Sequence, residues 1–135
     1  MIDASFYLKL VLPEEKSEQV EILWTSWIQE SVDVFAPSLF MYEVSSTLRN
    51  KVHRKILSIN DAEEIKSQLK NLDMTFIYSE DLLDTAWDIA SQLNLPTLYD
   101  CFYIALSKFL DGPLWTADSR LYKTASKEFP LINIV

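Results

Sequence analysis

The chain has 135 residues, a formal charge of −8 from 12 Lys and Arg against 20 Asp and Glu, and an apolar fraction of 49%. That is enough for one domain with its own core. One glycine (Gly112), one histidine (His53) and one cysteine (Cys101) exclude a P-loop, a dinucleotide glycine fingerprint, a His/Cys zinc site and an internal disulfide.

In chain order, Met1-Ile2 reads as a very short first strand ending at Asp3. A helix is predicted from Pro13 or Glu14 to Glu30, with Val20, Leu23, Trp24, Trp27 and Ile28 on its apolar face and Glu14 and Glu15 favouring its start. Val34-Phe35-Ala36 is the second strand, and Pro37-Ser38 opens a helix through about Lys55. Ser58 or Asn60 opens another, with Ile65, Leu69 and Leu72 inward. Met74 to Tyr78 is the third strand, and Ser79 caps a helix over Glu80 to Leu93. A helix from Thr97 ends near Asp111-Gly112-Pro113. Leu114-Trp115-Thr116 is the fourth strand, 119–128 a short helix, and Leu131 to Val135 the last strand. The alternation predicts a single three-layer α/β/α domain over residues 1–135, with a central parallel sheet of about five strands.

Four acids sit where such a fold aims ligands, at strand ends or in the first turns of helices: Asp3, Glu43, Asp100 and Asp118. Converging on one pocket, they would repel one another, and at least one would have a raised pKa without a cation. With one His and one Cys, any metal must be held by oxygen, which suits Mg²⁺ or Mn²⁺. Each acid also has a plain structural reading. Asp118 suits a helix N-cap, Asp100 stands three residues after Thr97 as in a capping box, Asp3 can end a strand, and Glu43 can flank a helix.

The basic run Arg49-Asn50-Lys51-Val52-His53-Arg54-Lys55 offers Arg49, Lys51 and Arg54 to RNA phosphate, or favours a helix C-terminus through its dipole. Trp24 and Trp27 read as core or interface, His53 as surface. No apolar run spans a membrane, no basic-then-apolar leader is visible, and a lone cysteine suits a reducing compartment. The expectation is therefore a cytoplasmic protein.

Asp3-Ala4-Ser5, Pro37-Ser38-Leu39 with Glu43 and Leu48-Arg49, Tyr99-Asp100 with Tyr103-Ile104-Ala105-Leu106, and Thr116-Ala117-Asp118 with Leu121 together resemble the PIN domain. The nearest likeness is to toxin ribonucleases of VapBC-type toxin–antitoxin pairs. The resemblance spans essentially the whole chain, with all four motifs in order. Two departures are Ser46, where many members carry Asn, and fewer residues before the first aspartate. The resemblance implies hydrolysis of an RNA phosphodiester by metal-activated water, without a covalent intermediate. It implies Asp3 and Asp100 as direct ligands of Mg²⁺ or Mn²⁺, with Glu43 and Asp118 acting through water or on a second ion. Ser5 and Thr116 would orient carboxylates or a scissile phosphate, with Ser46 in support. It further implies a cognate antitoxin and a homodimer. The competing expectations are a non-catalytic RNA- or protein-binding module on the same fold, and a structure-specific DNA nuclease.

Overall fold

The computed structural model describes residues 1–13 and 17–135. Its elements are α1 (Ala4–Val11), α2 (Glu18–Gln29), β1 (Phe35–Pro37), α3 (Leu39–His53), α4 (Ile59–Lys70), β2 (Thr75–Ile77), α5 (Glu80–Gln92), α6 (Tyr99–Leu110), β3 (Leu114–Thr116), α7 (Ser119–Ala125) and β4 (Ile132–Ile134). Caps written in the sequence set several of these boundaries. Ser58 accepts the N–H of Asp61 at 3.1 Å and Ser79 that of Leu82 at 3.2 Å, each satisfying a donor that the first helical turn leaves unpaired. At the end of α6 the left-handed residue is Asp111 (φ 46°), and the neighbouring Gly112 N–H closes onto the Ser107 carbonyl.

Each strand is only three residues long. β1 pairs with β2 and β3 with β4, both parallel and both joined through helical crossovers. Between the pairs lies Ile2, which bridges Trp115 in the parallel sense and donates its N–H to the Phe35 carbonyl at 3.3 Å. The expected sheet of about five strands is thus represented by four short strands in two pairs plus this bridge. Pro37 brings no N–H to the ladder, and the Ser79 and Asp118 caps turn the chain into helices close behind β2 and β3.

α1 was not expected. The sequence pattern placed nothing helical between Asp3 and Pro13 and one long helix beyond. Asp3 in fact caps α1, and α2 begins at Glu18; the expected start at Glu14 and Glu15 lies outside the described residues. α1 packs against α2, α3 and β3, so Phe6, Tyr7 and Leu8 are all buried. A helix covered on several sides carries no single apolar stripe to read.

The core runs through Ile2, Phe6, Phe40, Ile104, Leu106 and Leu114, all fully buried. α6 is its centre, with Cys101 and every residue from Tyr103 to Ser107 inside. Phe6 stacks on Trp27 at 5.4 Å between ring centroids and 14° between planes, and Trp27 meets Trp24 and Trp115 edge-on. Trp24 and Trp27 therefore belong to packing, as read. Ile28 does not: it is 64% exposed, because α2 turns that edge outward. Among the described residues no helix is long and apolar enough to cross a membrane.

These placements give a direct comparison. Phe6→Ala should lower the unfolding free energy by about 3–5 kcal/mol, through lost transfer energy and the cavity left behind. Ile28→Ala should change it by less than about 0.5 kcal/mol, since most of that side chain already meets water. Urea unfolding of the two variants beside the parent measures both.

Candidate active site

Asp3 follows Ile2 directly and becomes the N-cap of α1, so one residue ends an extended segment and starts a helix. Its side chain is 5% exposed. Oδ1 accepts the Phe6 N–H at 2.9 Å and the Ser5 hydroxyl at 2.7 Å, and Oδ2 accepts the Thr116 hydroxyl. Both hydroxyls are themselves held. Ser5 Oγ accepts the Ala117 N–H, and Thr116 Oγ1 accepts the Asp118 N–H, each at 2.9 Å. Each hydroxyl has one proton, and both are committed to Asp3. The 3.2 Å approach of Ser5 Oγ to Thr116 Oγ1 is thus a contact between two oriented groups. Through this clamp the turn between β3 and α7 is fixed to Asp3.

Asp118 then caps α7. Its Oδ1 accepts the N–H groups of Arg120 at 2.7 Å and Leu121 at 3.2 Å. The capping reading of this residue is therefore correct, and it occupies only one of the two carboxylate oxygens. Glu43 lies one turn inside α3, half-buried, with Oε2 accepting the hydroxyl of Tyr103. Asp100 is in the first turn of α6. It is no capping-box partner, for the N-cap position is Leu98 and carries no side-chain cap. Asp100 makes no side-chain hydrogen bond among the described residues.

The electrostatics tie the four together. Burial pushes Asp3 up to about 6, against the lowering effect of Thr116, Phe6 and Ser5, and the charge of Asp100 adds to the rise. Glu43 is raised by burial, partly offset by the Tyr103 hydrogen bond, with the charges of Asp100 and Asp3 adding. Asp100 is raised by burial and then by Asp118, while Arg120 lowers it. The raised pKa values expected of a crowded carboxylate group are present, but their leading cause is burial, with mutual repulsion second.

Asp3, Glu43, Asp100 and Asp118 thus share one electrical neighbourhood, and Ser5 and Thr116 adjoin it. Ser46 does not: it is exposed on α3, one turn past Glu43, and its side chain makes no hydrogen bond among the described residues. Arg49, Lys51 and Arg54 stand on the far half of α3, roughly 9–17 Å along the helix axis from Glu43. Arg49 there lines a separate groove between α3 and α4 with Leu48, Val52, Ile59 and Ala62. Two residues given no role by the sequence pattern do belong here. Tyr103 follows Asp100 by one helical turn and reaches Glu43 across 60 positions. Arg120 follows Asp118 by two and is the cation felt by Asp100. The turn spacing on α6 was a readable signal for Tyr103, and nothing local in the sequence singled out Arg120.

The donor set is all oxygen, which fits a hard divalent ion in kind. Among the described residues no three His, Cys, Asp or Glu side chains stand close enough together to ligate one ion as placed. Mg²⁺ commonly takes only one or two carboxylates and completes its shell with water and substrate phosphate, and that mode the site can offer.

The family model described as PIN domain matches residues 1–127. Ribonuclease VapC3 of Pyrobaculum aerophilum is 31% identical over 136 residues, covering 98% of this chain and 95% of that protein. Ribonuclease VapC1 of Mycobacterium tuberculosis is 36% identical over 87 residues, 64% of this chain and 63% of its own length. Ribonuclease VapC9 of the same species is 27% identical over 131 residues, 97% and 94% of the two chains. Among solved structures, that of PAE2754 from Pyrobaculum aerophilum superposes with a TM-score of 0.61 at 19% identity, covering 91% of this chain and 83% of the other. That last likeness shows a shared fold.

Asp3 makes a pH prediction for the metal-free protein. Its folded pKa, about 6, lies above the ordinary aspartate value of 3.8, so the folded chain holds more protons than the unfolded one between these values. Stability should therefore fall as pH rises from 4 to 7, with Asp3 contributing roughly 2–3 kcal/mol of the loss. The upward shifts of Glu43 and Asp100 act in the same direction. Urea unfolding in EDTA across this range should show a clearly shallower fall for Asp3→Asn than for the parent.

Proposed function

The chain belongs to the PIN domain family, and from that membership we propose that it is a divalent-metal-dependent endoribonuclease, the toxin of a toxin–antitoxin pair. One observation carries the reading: Asp3 is clamped by Ser5 and Thr116 in the electrical neighbourhood of Glu43, Asp100 and Asp118. Four acids held in one another's field, with no ion pair to Asp3, Glu43 or Asp100 among the described residues, make a centre that favours incoming positive charge. The relatives named as ribonucleases over nearly the full chain supply the reaction class.

In this reading Asp3 and Asp100 hold Mg²⁺ or Mn²⁺ directly, and Glu43 and Asp118 act through water or on a second ion. The chemistry such an ion supplies when bound is activation of water and neutralisation of phosphate charge. The chain's own part is orientation. Ser5 and Thr116 fix both oxygens of Asp3, Tyr103 fixes one oxygen of Glu43, and the α7 cap fixes one oxygen of Asp118. Such outer hydrogen bonds set where the remaining lone pairs face. The same membership supports an antitoxin partner, a homodimer and a cytoplasmic location. The two hydrogen-bonded connections of Ile2 support one five-stranded parallel sheet in the order β2, β1, Met1–Asp3, β3, β4, lying between layers of helices.

Asp3→Asn and Asp100→Asn should each lower Mg²⁺- or Mn²⁺-dependent RNA cleavage by roughly 10²-fold or more. The measurement is cleavage of total RNA by purified protein, with cut sites mapped after induction of the parent and of Asp3→Asn in cells. Undiminished cutting by both variants would sink the assignment.

A further inference from the structure

Asp100 opens onto a cavity of about 140 Å³ between the start of α6 and the face of α7, which it shares with Thr97, Arg120 and Thr124 over a floor containing Leu95 and Leu121. The volume suits a phosphate group and its water. Arg120 is exposed and forms no ion pair among the described residues. Its main-chain N–H serves the Asp118 cap, and its guanidinium, felt by Asp100, makes no hydrogen bond among the described residues. The Thr124 hydroxyl is spent on the Arg120 carbonyl at 2.8 Å, whereas Thr97 has no hydrogen bond among the described residues. Two donors, one of them a planar charged fork matched to phosphate oxygens, therefore face a small cavity beside a carboxylate of the acidic centre.

We propose that Arg120 and Thr97 form a subsite for an RNA phosphate adjacent to the one that is cut. The proposal rests on the ribonuclease reading. It makes Arg120, rather than the Arg49–Lys55 run, the cation that sets how the strand enters the centre. Its charge offsets Asp100, whose field would otherwise oppose a polyanion. Arg49 lines the separate groove between α3 and α4, and neither it nor Arg54 lines the cavity beside Asp100.

The test is fluorescence anisotropy of a labelled, mixed-sequence, single-stranded oligoribonucleotide on the full chain, across a range of salt with Ca²⁺ replacing Mg²⁺. Arg120→Gln should weaken binding roughly tenfold. It should also reduce the slope of log affinity against log salt by about 0.7, the loss of one phosphate contact on a single strand. Arg120→Lys should restore most of that slope, an outcome that a purely structural role of Arg120 would not give. Affinity and slope unchanged in Arg120→Gln would overturn the subsite. Mg²⁺- or Mn²⁺-dependent cleavage is read separately. Binding that needs Arg120, in a chain that cuts no RNA, would overturn the ribonuclease reading and leave the phosphate site standing. No binding by the parent would overturn the subsite whatever the cleavage result.

Discussion

The structure depends on a carboxylate kept almost dry. Asp3 sits where Met1–Asp3 hydrogen-bonds to Trp115 and Phe35, and it starts the helix that fills the space between α2 and α3. A buried carboxylate is costly unless its lone pairs are met. Here they are met by one main-chain N–H and two hydroxyls, none of which carries charge. Three neutral donors do not outweigh the desolvation, and Asp3 stays protonated to an unusually high pH. Replacing the hydroxyls with a lysine would have lowered that pKa and closed the centre with a fixed cation. The arrangement chosen keeps Asp3 rigid and leaves its charge to be balanced from outside.

Helix geometry supplies part of what the hydroxyls do not. Asp3 and Asp118 are N-caps, Asp100 is in a first turn, and Glu43 is in the second turn of α3. Four helices thus present their N-terminal ends, each equivalent to roughly half a positive charge, towards one group of acids. The benefit fades beyond the first turn, so it favours Asp3, Asp100 and Asp118 over Glu43. Glu43 is the residue to which a separate donor, Tyr103, has been brought from another helix. Capping and site formation are therefore one arrangement here: Asp118 secures α7 with a single oxygen and keeps the other for the centre.

What could be read from the sequence follows from how far each interaction reaches along the chain. Helix starts at Ser58 and Ser79 were legible because a cap and the N–H it accepts lie three residues apart. The acids were legible because strand ends and helix starts leave short-range marks. Strand length was less so, since three residues are too few to show alternation, and β1 sits one residue later than read. α1 was hidden by burial on several faces, and Ile28 was misplaced because an ideal stripe is wider than the face that α2 buries. Tyr103 and Glu43 meet across 60 positions, a distance that no local pattern spans. The basic run at 49–55 stood out because its charges are contiguous in the chain, although what matters to the centre is nearness in space.

That distinction also bears on the tension between a net charge of −8 and the polyanionic substrate proposed above. At physiological ionic strength charges act over about 8 Å, so the total is felt weakly and the residues within that radius decide approach. Around Asp100 those residues include Asp3 and Glu43, whose pKa values its charge raises, Asp118, which raises that of Asp100, and Arg120, which lowers it. On the proposed reading, an acid centre with one nearby arginine would accept a phosphate only when cations complete it. The same centre would repel RNA with its acids ionised and uncompensated. On the proposed reading, a fold that clamps Asp3 with neutral donors, gives Asp100 no hydrogen-bond donor among the described residues and sets one guanidinium near it would make substrate approach conditional on the same cations that activity would require.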